Sequence, residues 1–329
     1  MPQPSRTRAF AVSLLIAAML PPAAQAASAA GSFPEKPVRM VIPLAPGGGS
    51  DIVGRIVALG LAGRWHTSVV VDNRPGAGSV VGTAIVAKAP GDGYTMLVSS
   101  SSFAISPALY PRLEYDVRRD FRPVTLLASQ PSLLVVNAAV PAHDLRELIA
   151  LAKSKPGALA YASAGVGSAT HLGTELLLRT ASLQAQHVPY KSAGQATTAV
   201  LSGETQVLLT NMASLLPHLK GGRIRALGTS AAERSPLAPD VPTLSEGGLP
   251  GFQYATWYGA FVPAATPPAR IAAIHQAIAD VLHRGAARDQ LIAKGLQVHA
   301  LPPAEFGRYL DAELDRWQTL IRTAGIAVH

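Results

Sequence analysis

From about residue 38 onward, short apolar runs alternate with longer stretches in which apolar residues recur every three or four positions. The short β-branched runs predict strands, and the longer period predicts amphipathic helices. We expect strands at 38–44, 68–72, 95–99, 133–137, 158–162, 185–188, 207–210, 225–228 and 255–262. We expect helices at 51–64, 79–88, 144–154, 171–180, 193–201, 212–220, 268–284, 286–294 and 303–324. Strands that alternate with helices in this way predict an α/β fold.

Local signals mark the start of one of these helices and the buried face of another. Asp144 and Glu147 form the pattern of a capping box, in which each side chain accepts from a backbone N–H at the helix start. The C-terminal stretch 303–324 repeats apolar residues at spacings of three and four, so we expect one of its faces to lie in the core. These residues are Phe306, Leu310, Leu314, Trp317 and Ile321.

Two irregular stretches interrupt the alternation and suggest how the chain divides. Residues 110–123 are charged, and residues 230–251 are rich in proline and glycine. We expect both stretches near the crossings between two lobes. Lobe 1 would consist of 27–128 with 254–329, and lobe 2 would be the inserted segment 129–253.

The first 26 residues have the pattern of a signal peptide. Arg6 and Arg8 precede an apolar run at 9–20, which is too short to span a bilayer, and 24–26 (AQA) is a small-residue cleavage site. A cut after 27–29 (ASA) and an uncleaved N-terminal anchor are the alternatives. We predict export to the periplasm with cleavage near Ala26.

Composition excludes several classes of site. The chain has no cysteine, which rules out disulfides, thiol catalysis and a lipid-modified N-terminal Cys. The net charge of +8 comes from scattered Lys and Arg without interleaved aromatic residues, so no nucleic-acid partner is expected. The nine histidines lack the spacing of a metal site, and the glycines of 76–82 do not match a dinucleotide fingerprint. We therefore expect no cofactor and no metal. The residues leave the oligomeric state open, with a monomer as the default expectation.

Three loops rich in glycine and hydroxyl groups follow predicted strands, at 46–51, 99–102 and 163–170. Bare backbone N–H groups, small hydroxyls and the positive end of a helix bind an anion without a dedicated Lys or Arg. The loops favour a receptor for a small anionic solute over an enzyme. The predicted ligand-binding residues on them are Pro46, Gly47, Gly48, Gly49, Asp51, Ser100, Ser101, Ser163, Gly165, Gly167, Ser168, Thr170 and His171.

Several candidate residues have a structural alternative. Asp51 either caps the helix and orients its loop, which is the more common role, or binds a cationic group. Tyr190 offers a hydroxyl to a ligand or closes a lobe, and Thr210 and Asn211 end a strand where side chains point into a cleft. Ser163 or Ser168 with His171 would suit a hydrolase, although no nucleophile elbow is present.

Ten motifs spread over the chain give it a resemblance to one family. They are 33–39 (FPEKPVR), 43–51 (PLAPGGGSD), 73–78 (NRPGAG), 92–95 (DGYT), 107–110 (PALY), 161–168 (YASAGVGS), 187–191 (HVPYK), 234–236 (RSP), 239–244 (PDVPTL) and 248–251 (GLPG). In this order and spacing they resemble the tripartite tricarboxylate transporter receptors, also called Bug-type solute-binding proteins.

The resemblance implies a two-lobed periplasmic-binding-protein fold, type II-like, with a ligand cleft between the lobes. It implies a receptor that hands a small organic anion, a carboxylate, to membrane permease subunits. In the family a ligand carboxylate is held by the backbone and hydroxyls of two loops, which correspond here to 46–51 and 163–171. A sensor subunit that passes its ligand state to a signalling partner is the alternative role.

One departure from the family pattern affects the expected ligand. Many members carry an Asp at the position of Thr210, where it would suit a ligand amino group. Since Thr supplies no negative charge, we hypothesise that this protein prefers a carboxylate without an ammonium group.

Overall fold

The computed structural model describes residues 33–190, 192–324 and 326. The predicted signal peptide lies outside the described residues. The strands are β1 Val38–Ile42, β2 Val69–Asn73, β3 Thr95–Ser100, β4 Phe121–Asn137, β5 Ala160–Ser163, β6 Gln186–Pro189, β7 Val207–Asn211, β8 Ile224–Thr229, β9 Ala255–Pro263 and β10 Gln297–Val298. The helices are α1 Gly49–Trp65, α2 Val80–Ala87, α3 Ser102–Leu109, α4 Val117–Asp120, α5 Leu145–Ser154, α6 Ala169–Thr180, α7 Ala193–Ser202, α8 Met212–Leu219, α9 Pro268–His283, α10 Ala286–Ala293 and α11 Pro303–Ala324.

The strands form two half-sheets that share one long strand. The first half-sheet has the order β2-β1-β3-β9-β4, with β10 on the far side of β4. In the second half-sheet β4 lies between β7 and β8, and the order continues from β7 to β5 and β6. Helices pack against both half-sheets, so the predicted α/β class is confirmed.

Strand β4 carries the chain from the first half-sheet to the second. Pro131 pairs with Ala255 of β9, and the next residue, Ser132, pairs with Asn211 of β7. The apolar run predicts this strand only at 133–137, whereas the structure extends it back to Phe121. Pro123 lies at a register shift and Pro131 lies where the partner changes, so each proline sits where the ladder is irregular.

The chain crosses from the first half-sheet to the second at Pro131 and Ser132. The charged stretch 110–123 contains α4 and the start of β4, which pairs with β9 of the first half-sheet, so the crossing lies further along the chain. The segment between β8 and β9, which returns the chain to the first half-sheet, lies beside this crossing. Ser230 N–H donates to the carbonyl of Ser132 at 2.8 Å, and Ser132 N–H donates to Ser230 Oγ at 2.8 Å. The lobe bounds 27–128 with 254–329 and 129–253 stay a prediction.

The C-terminal helix closes the core between the half-sheets. Phe306 and Trp317 on α11 are fully buried, as the apolar period predicted. Glu313 on the same helix accepts from the indole N–H groups of Trp257 and Trp317 at 2.9 and 3.0 Å. At the start of α5, Asp144 caps the helix by accepting from Glu147 N–H at 2.8 Å, and Glu147 Oε2 reaches back to accept from His143 N–H at 2.6 Å.

Three elements were not predicted from the sequence. Helix α3 has Pro107 in its interior and begins in a serine run, which are features of a loop. Helix α4 has four residues and β10 has two, too few for a hydrophobic period to show. Of the three, α3 matters most for the site described next.

Candidate functional site

A cavity of about 340 Å³ opens where strand ends of the two half-sheets face each other. Its walls are formed by residues that follow β1 and β3 of the first half-sheet and by the loop that follows β5 of the second. Strands β1 and β3 are parallel, as are β5 and β7, so the loops at their carboxyl ends gather at one edge of each half-sheet. The lining residues are Leu44, Gly78, Ser100, Ser102, Ile105, Ser106, Leu109, Tyr110, Ala164, Val166, Gly167, Ser168 and Ala169.

The loop before α1 is held by the Asp51 carboxylate. Asp51 accepts from Gly47 N–H at 2.9 Å, from Arg55 Nε at 2.9 Å and from Asn73 Nδ2 at 3.0 Å. Burial raises the pKa of Asp51, but the hydrogen bonds from Arg55, Gly47 and Asn73 outweigh burial, so the net pKa is lowered. Gly48 is the N-cap and no side chain caps this helix end. Asp51 orients the loop by reaching back to it, like the acidic member of a capping box.

The glycines of this loop differ in their surroundings. Pro46, Gly47 and Gly48 are exposed, and none of 46–51 lines the cavity. Gly47 has φ +81°, a conformation that glycine adopts without strain. Gly49 packs against the buried side chain of Tyr258, and a Cβ added at Gly49 would overlap the Tyr258 hydroxyl. Of the segment between β1 and α1, Leu44 is the one residue among the described lining residues of the cavity.

The serine run after β3 leads into α3 and forms one wall. Ser100 Oγ and Ser102 Oγ lie 2.9 Å apart, so their mutual bond uses one of the two hydroxyl hydrogens. Ser106 Oγ donates to the carbonyl of Ser102 at 2.7 Å and lies 3.3 Å from the carbonyl of Gly78. Ser101 is the N-cap of α3, and its buried Oγ has no partner among the described residues. Ser100 lines the cavity, whereas Ser101 is fully buried and is not a lining residue.

The loop between β5 and α6 forms the opposite wall and is folded by its own hydroxyls. Ser168 caps α6 by accepting from His171 N–H at 3.2 Å, and it donates to the carbonyl of Gly165 at 2.6 Å. Thr170 Oγ1 accepts from Ala164 N–H at 2.8 Å. These side chains hold the loop, which leaves the N–H groups of Val166, Ala169 and Thr170 without an acceptor within the described chain.

A stack of aromatic rings supports this loop from below. The rings of His171 and His187 stack at 4.0 Å, and Tyr161 stacks on His187 at 4.9 Å. Gly167 N–H donates to His171 Nδ1 at 3.0 Å, which requires that nitrogen to carry no proton. Burial, with a further contribution from His187, lowers the pKa of His171 to about 4, so the ring is neutral near pH 7. Tyr161 completes the support by donating to Glu175 Oε1 at 2.6 Å.

The pairing that a serine hydrolase would need is not the one proposed from the sequence. Ser163 Oγ lies 2.6 Å from Nε2 of His187, and not beside His171. Ser163 is fully buried, and its Oγ also bonds both the carbonyl and the N–H of Gly165. Ser163, Gly165 and His171 therefore hold the loop in place without lining the cavity. Gly167 and Ser168 do line it.

Tyr190, Thr210 and Asn211 are not among the residues that line the cavity. Tyr190 donates to Glu204 Oε1 at 2.8 Å, and burial, followed by this bond, raises the pKa of Tyr190 to about 12. Thr210 is buried at the carboxyl end of β7, and its Oγ1 has no partner among the described residues. Asn211 is the N-cap residue of α8 without a side-chain capping bond.

Sequence reasoning missed much of the α3 wall. Ser102, Ile105, Ser106, Leu109 and Tyr110 follow one face of this helix. Their spacing of three and four residues is typical of one face of a helix. Pro107, which is unusual inside a helix, argued against predicting one here. Gly78, which was not among the predicted site residues, also lines the cavity, and a Cβ added there would lie 3.0 Å from Tyr110 Oη.

The cavity combines neutral donors with hydrocarbon. None of its lining residues within the described chain carries a charged side chain. Over the same residues, no group of three His, Asp or Glu is arranged to hold a metal ion. No described helix combines the length and hydropathy of a membrane span. The arrangement can hold an anion through N–H groups, hydroxyls and helix ends.

Comparison with known proteins shows which family and which structures the chain is similar to. The tripartite tricarboxylate transporter family receptor profile matches residues 53–326. The structure of R. palustris Rpa4515 with adipate is 30% identical with a TM-score of 0.79, covering 90% of this chain and 100% of the other. MatC from Rhodopseudomonas palustris with bound malate is 32% identical with a TM-score of 0.75, covering 88% and 100%. Periplasmic binding protein BugD is 27% identical with a TM-score of 0.76, covering 90% and 100%.

Proposed function

Because the chain belongs to the tripartite tricarboxylate transporter receptor family, a family of solute-binding proteins with the periplasmic-binding-protein fold, we propose that it captures a small carboxylate in the cavity between its half-sheets. The proposal includes delivery of that ligand, by the protein as a monomer, to the membrane permease subunits of a tripartite transporter. Its family consists of receptors and not of enzymes.

One observation carries the proposal: loops from both half-sheets line one cavity with neutral hydrogen-bond donors. On one side lie Ser100 and Ser102, which have a free hydroxyl hydrogen between them. On the other side lie the N–H groups of Val166 and Ala169, which have no acceptor among the residues that the structure describes. A carboxylate that accepts from both sides would bind the closed arrangement better than the open one, and so would favour closure.

The predicted site residues take two roles in this proposal. Ser100, Gly167 and Ser168 lie at the cavity, and the N–H groups near them contact the ligand. The remaining residues shape the loops or border the cleft: Pro46, Gly47, Gly48, Gly49, Asp51, Ser101, Ser163, Gly165, Thr170, His171, Tyr190, Thr210 and Asn211. Thr210 in place of an acidic residue supports a ligand without an ammonium group.

Relatives support a carboxylate as the ligand class. Rpa4515 is described with adipate and MatC with malate, and both structures cover nine-tenths or nearly nine-tenths of this chain. Export to the periplasm, with cleavage near Ala26, follows from the N-terminal pattern and is part of the proposal. A sensor subunit would bind its ligand in the same cavity. It would differ from a transport receptor only in passing its ligand state to a signalling partner instead of a permease.

The experiment compares two serines on the same face of α3. Ser102→Ala should weaken carboxylate binding by about tenfold in calorimetry, because a donor to a charged group is lost. Ser106→Ala is the control, since the Ser106 hydroxyl already donates to the carbonyl of Ser102. Equal affinity of Ser102→Ala and the unmodified protein would remove this wall from the site, and the absence of binding by every carboxylate tested would refute the function.

A further inference from the structure

Tyr110 lines two cavities. The first is the cavity of the candidate site, of about 340 Å³. The second, of about 290 Å³, lies among the C-terminal end of α3, helix α4 and helix α11. Tyr110 is the one residue that the linings of both cavities share within the described chain. Its side chain therefore stands where the two cavities meet.

The position of Tyr110 is fixed at both ends. Its backbone N–H donates to the carbonyl of Ser106 at 3.0 Å, where it caps the C-terminus of α3. At the other end the ring lies against Gly78, since a Cβ added at Gly78 would come within 3.0 Å of Tyr110 Oη and 3.6 Å of Tyr110 Cε2. The side chain also packs against the hydrophobic core. Backbone and ring are thus held by different elements, and packing gives the ring little room to move.

Beyond Tyr110 the second cavity is mainly apolar. Its charged residues are engaged: Asp116 accepts from Arg118 N–H at the start of α4, and the Arg118 guanidinium pairs with Asp311 and Asp315 of α11. The hydroxyl of Tyr115 is itself buried and has no partner among the described residues, so Tyr115 contributes ring atoms to the lining. The apolar lining residues are Pro107, Pro111, Leu113, Val117 and Leu314. An alkyl chain that reached this cavity would lose water without displacing an ion pair.

We propose that Tyr110 determines the length of the ligand, because its ring closes the first cavity and keeps a longer chain out of the second one. The inference rests on the proposed function and narrows its ligand class by size. It holds for a ligand bound in either direction, since a wall acts on whichever end of the ligand reaches it.

The expected effect follows from the burial of hydrocarbon. Two methylene groups moved from water into an apolar cavity tighten binding by about tenfold. A chain that is too long for the first cavity leaves its extra methylenes in water or displaces the packed ring of Tyr110, so this gain stops at one chain length. Removal of the ring joins the first cavity to the second and should let the gain continue.

The test measures binding to the purified protein by calorimetry along two series of ligands, from butanoate to dodecanoate and from succinate to dodecanedioate, with citrate and benzoate beside them. In the unmodified protein, affinity should rise up to one chain length and then level off or fall. In Tyr110→Ala, affinity should go on rising past that length in at least one series, by about tenfold for each two added carbons. Tyr110→Leu repeats the measurement with a smaller loss of packing, should thermal unfolding show that Tyr110→Ala does not fold.

Two control variants leave the wall in place and should keep the length limit of the unmodified protein. Tyr110→Phe retains the ring and removes a hydroxyl that has no hydrogen-bond partner among the described residues. Leu113→Ala enlarges the second cavity alone, because Leu113 lines that cavity and not the first. The limit should therefore follow the ring of Tyr110, and neither its hydroxyl nor the size of the space beyond it.

The outcomes separate this inference from the function on which it rests. The absence of a length limit in the unmodified protein, or an unchanged limit in Tyr110→Ala and Tyr110→Leu, would overturn the inference and leave a carboxylate receptor. Loss of the limit in Tyr110→Phe or in Leu113→Ala would do the same. Binding of citrate or benzoate without binding of either series would also overturn the length limit alone. Binding of none of these carboxylates would overturn both proposals.

Discussion

The hydroxyl of Tyr254 donates a hydrogen bond of 2.7 Å to the carbonyl of Ala169. Tyr254 ends the segment that returns from the second half-sheet to the first, and Ala169 is the first residue of α6 and lines the cavity. The Tyr254 ring also packs against Gly173 on the same helix. One buried side chain therefore connects the crossing between the half-sheets to the loop that lines the cavity.

This contact predicts a coupled loss when the hydroxyl is removed. Tyr254→Phe keeps the ring and should lower the free energy of unfolding by about 1 kcal/mol, the usual worth of one hydrogen bond. It should also weaken carboxylate binding, because Ala169 is no longer positioned. Urea unfolding and calorimetry measure the two effects. Tyr190→Phe is the control, since Tyr190 donates to Glu204 away from the cavity lining, and an equal effect of both variants would refute the coupling.

Two neighbouring glycines should differ in their tolerance of a methyl group. Gly49→Ala places a Cβ on the hydroxyl of the buried Tyr258, so we expect a loss of about 1–3 kcal/mol in the free energy of unfolding. Gly48→Ala is the control, because Gly48 has φ −79° and the nearest atom to its added Cβ, the Ala45 carbonyl oxygen, lies at 3.5 Å. Equal stability of the two variants in urea unfolding would show that Tyr258 moves aside freely.

Ser168 should prove more important to the loop than to direct ligand contact. Ser168→Ala removes the N-cap of α6 and should cost about 1 kcal/mol of stability, with weaker binding as a consequence. Asn and Asp both retain capping, so Ser168→Asn should be as stable as the unmodified protein.

The charged variant gives the contrast at the same position. Ser168→Asp keeps the cap but places a negative charge in the cavity, so it should lose carboxylate binding while keeping its stability. Calorimetry and thermal unfolding of the Asn and Asp variants isolate the charge. Carboxylate binding by Ser168→Asp at normal affinity would place the ligand elsewhere.

The buried ring stack predicts a loss of stability in mild acid. The pKa of His171 is 6.5 in the unfolded chain and about 4 in the folded one, because burial and then the neighbouring His187 disfavour the cation. Above pH 6.5 the stabilisation from neutral His171 is fully present. As the pH falls from 6.5 to 4, the unfolded state binds a proton and the folded state does not, so about 3 kcal/mol is lost.

The measurement compares urea unfolding at pH 7 and pH 4.5 in two proteins. His171→Gln removes the titrating ring while keeping an acceptor for Gly167 N–H, so its stability should fall less with acid than that of the unmodified protein. The other titratable groups at the stack, His187, Tyr161 and Glu175, are the same in both proteins, so the difference belongs to His171. Equal slopes would contradict the neutral assignment.

The sequence determined the class of fold and the family of this protein. Period and turn chemistry are local properties, and they located the capping box at Asp144 and the buried face that includes Trp317. Motif order determined the family, because ten short matches in sequence require no knowledge of three-dimensional contacts. The loop at 163–170 was also identified, since strand, glycines and helix start follow each other along the chain.

The tertiary structure decided which atoms of those loops are free to bind. Ser163 and Ser168 lie, like Ser100, in loops rich in glycine and hydroxyl groups. In the structure both of their hydroxyls donate to the carbonyl of Gly165. It also decided that β4 continues through Pro131, because the proline sits where one partner strand replaces another. Hydrogen-bond partners and strand exchanges join residues far apart in the chain, so no local pattern contains them. The cavity wall at α3 exists for the same reason: its five residues become one surface only when the helix forms opposite the loop of Ala164 to Ala169.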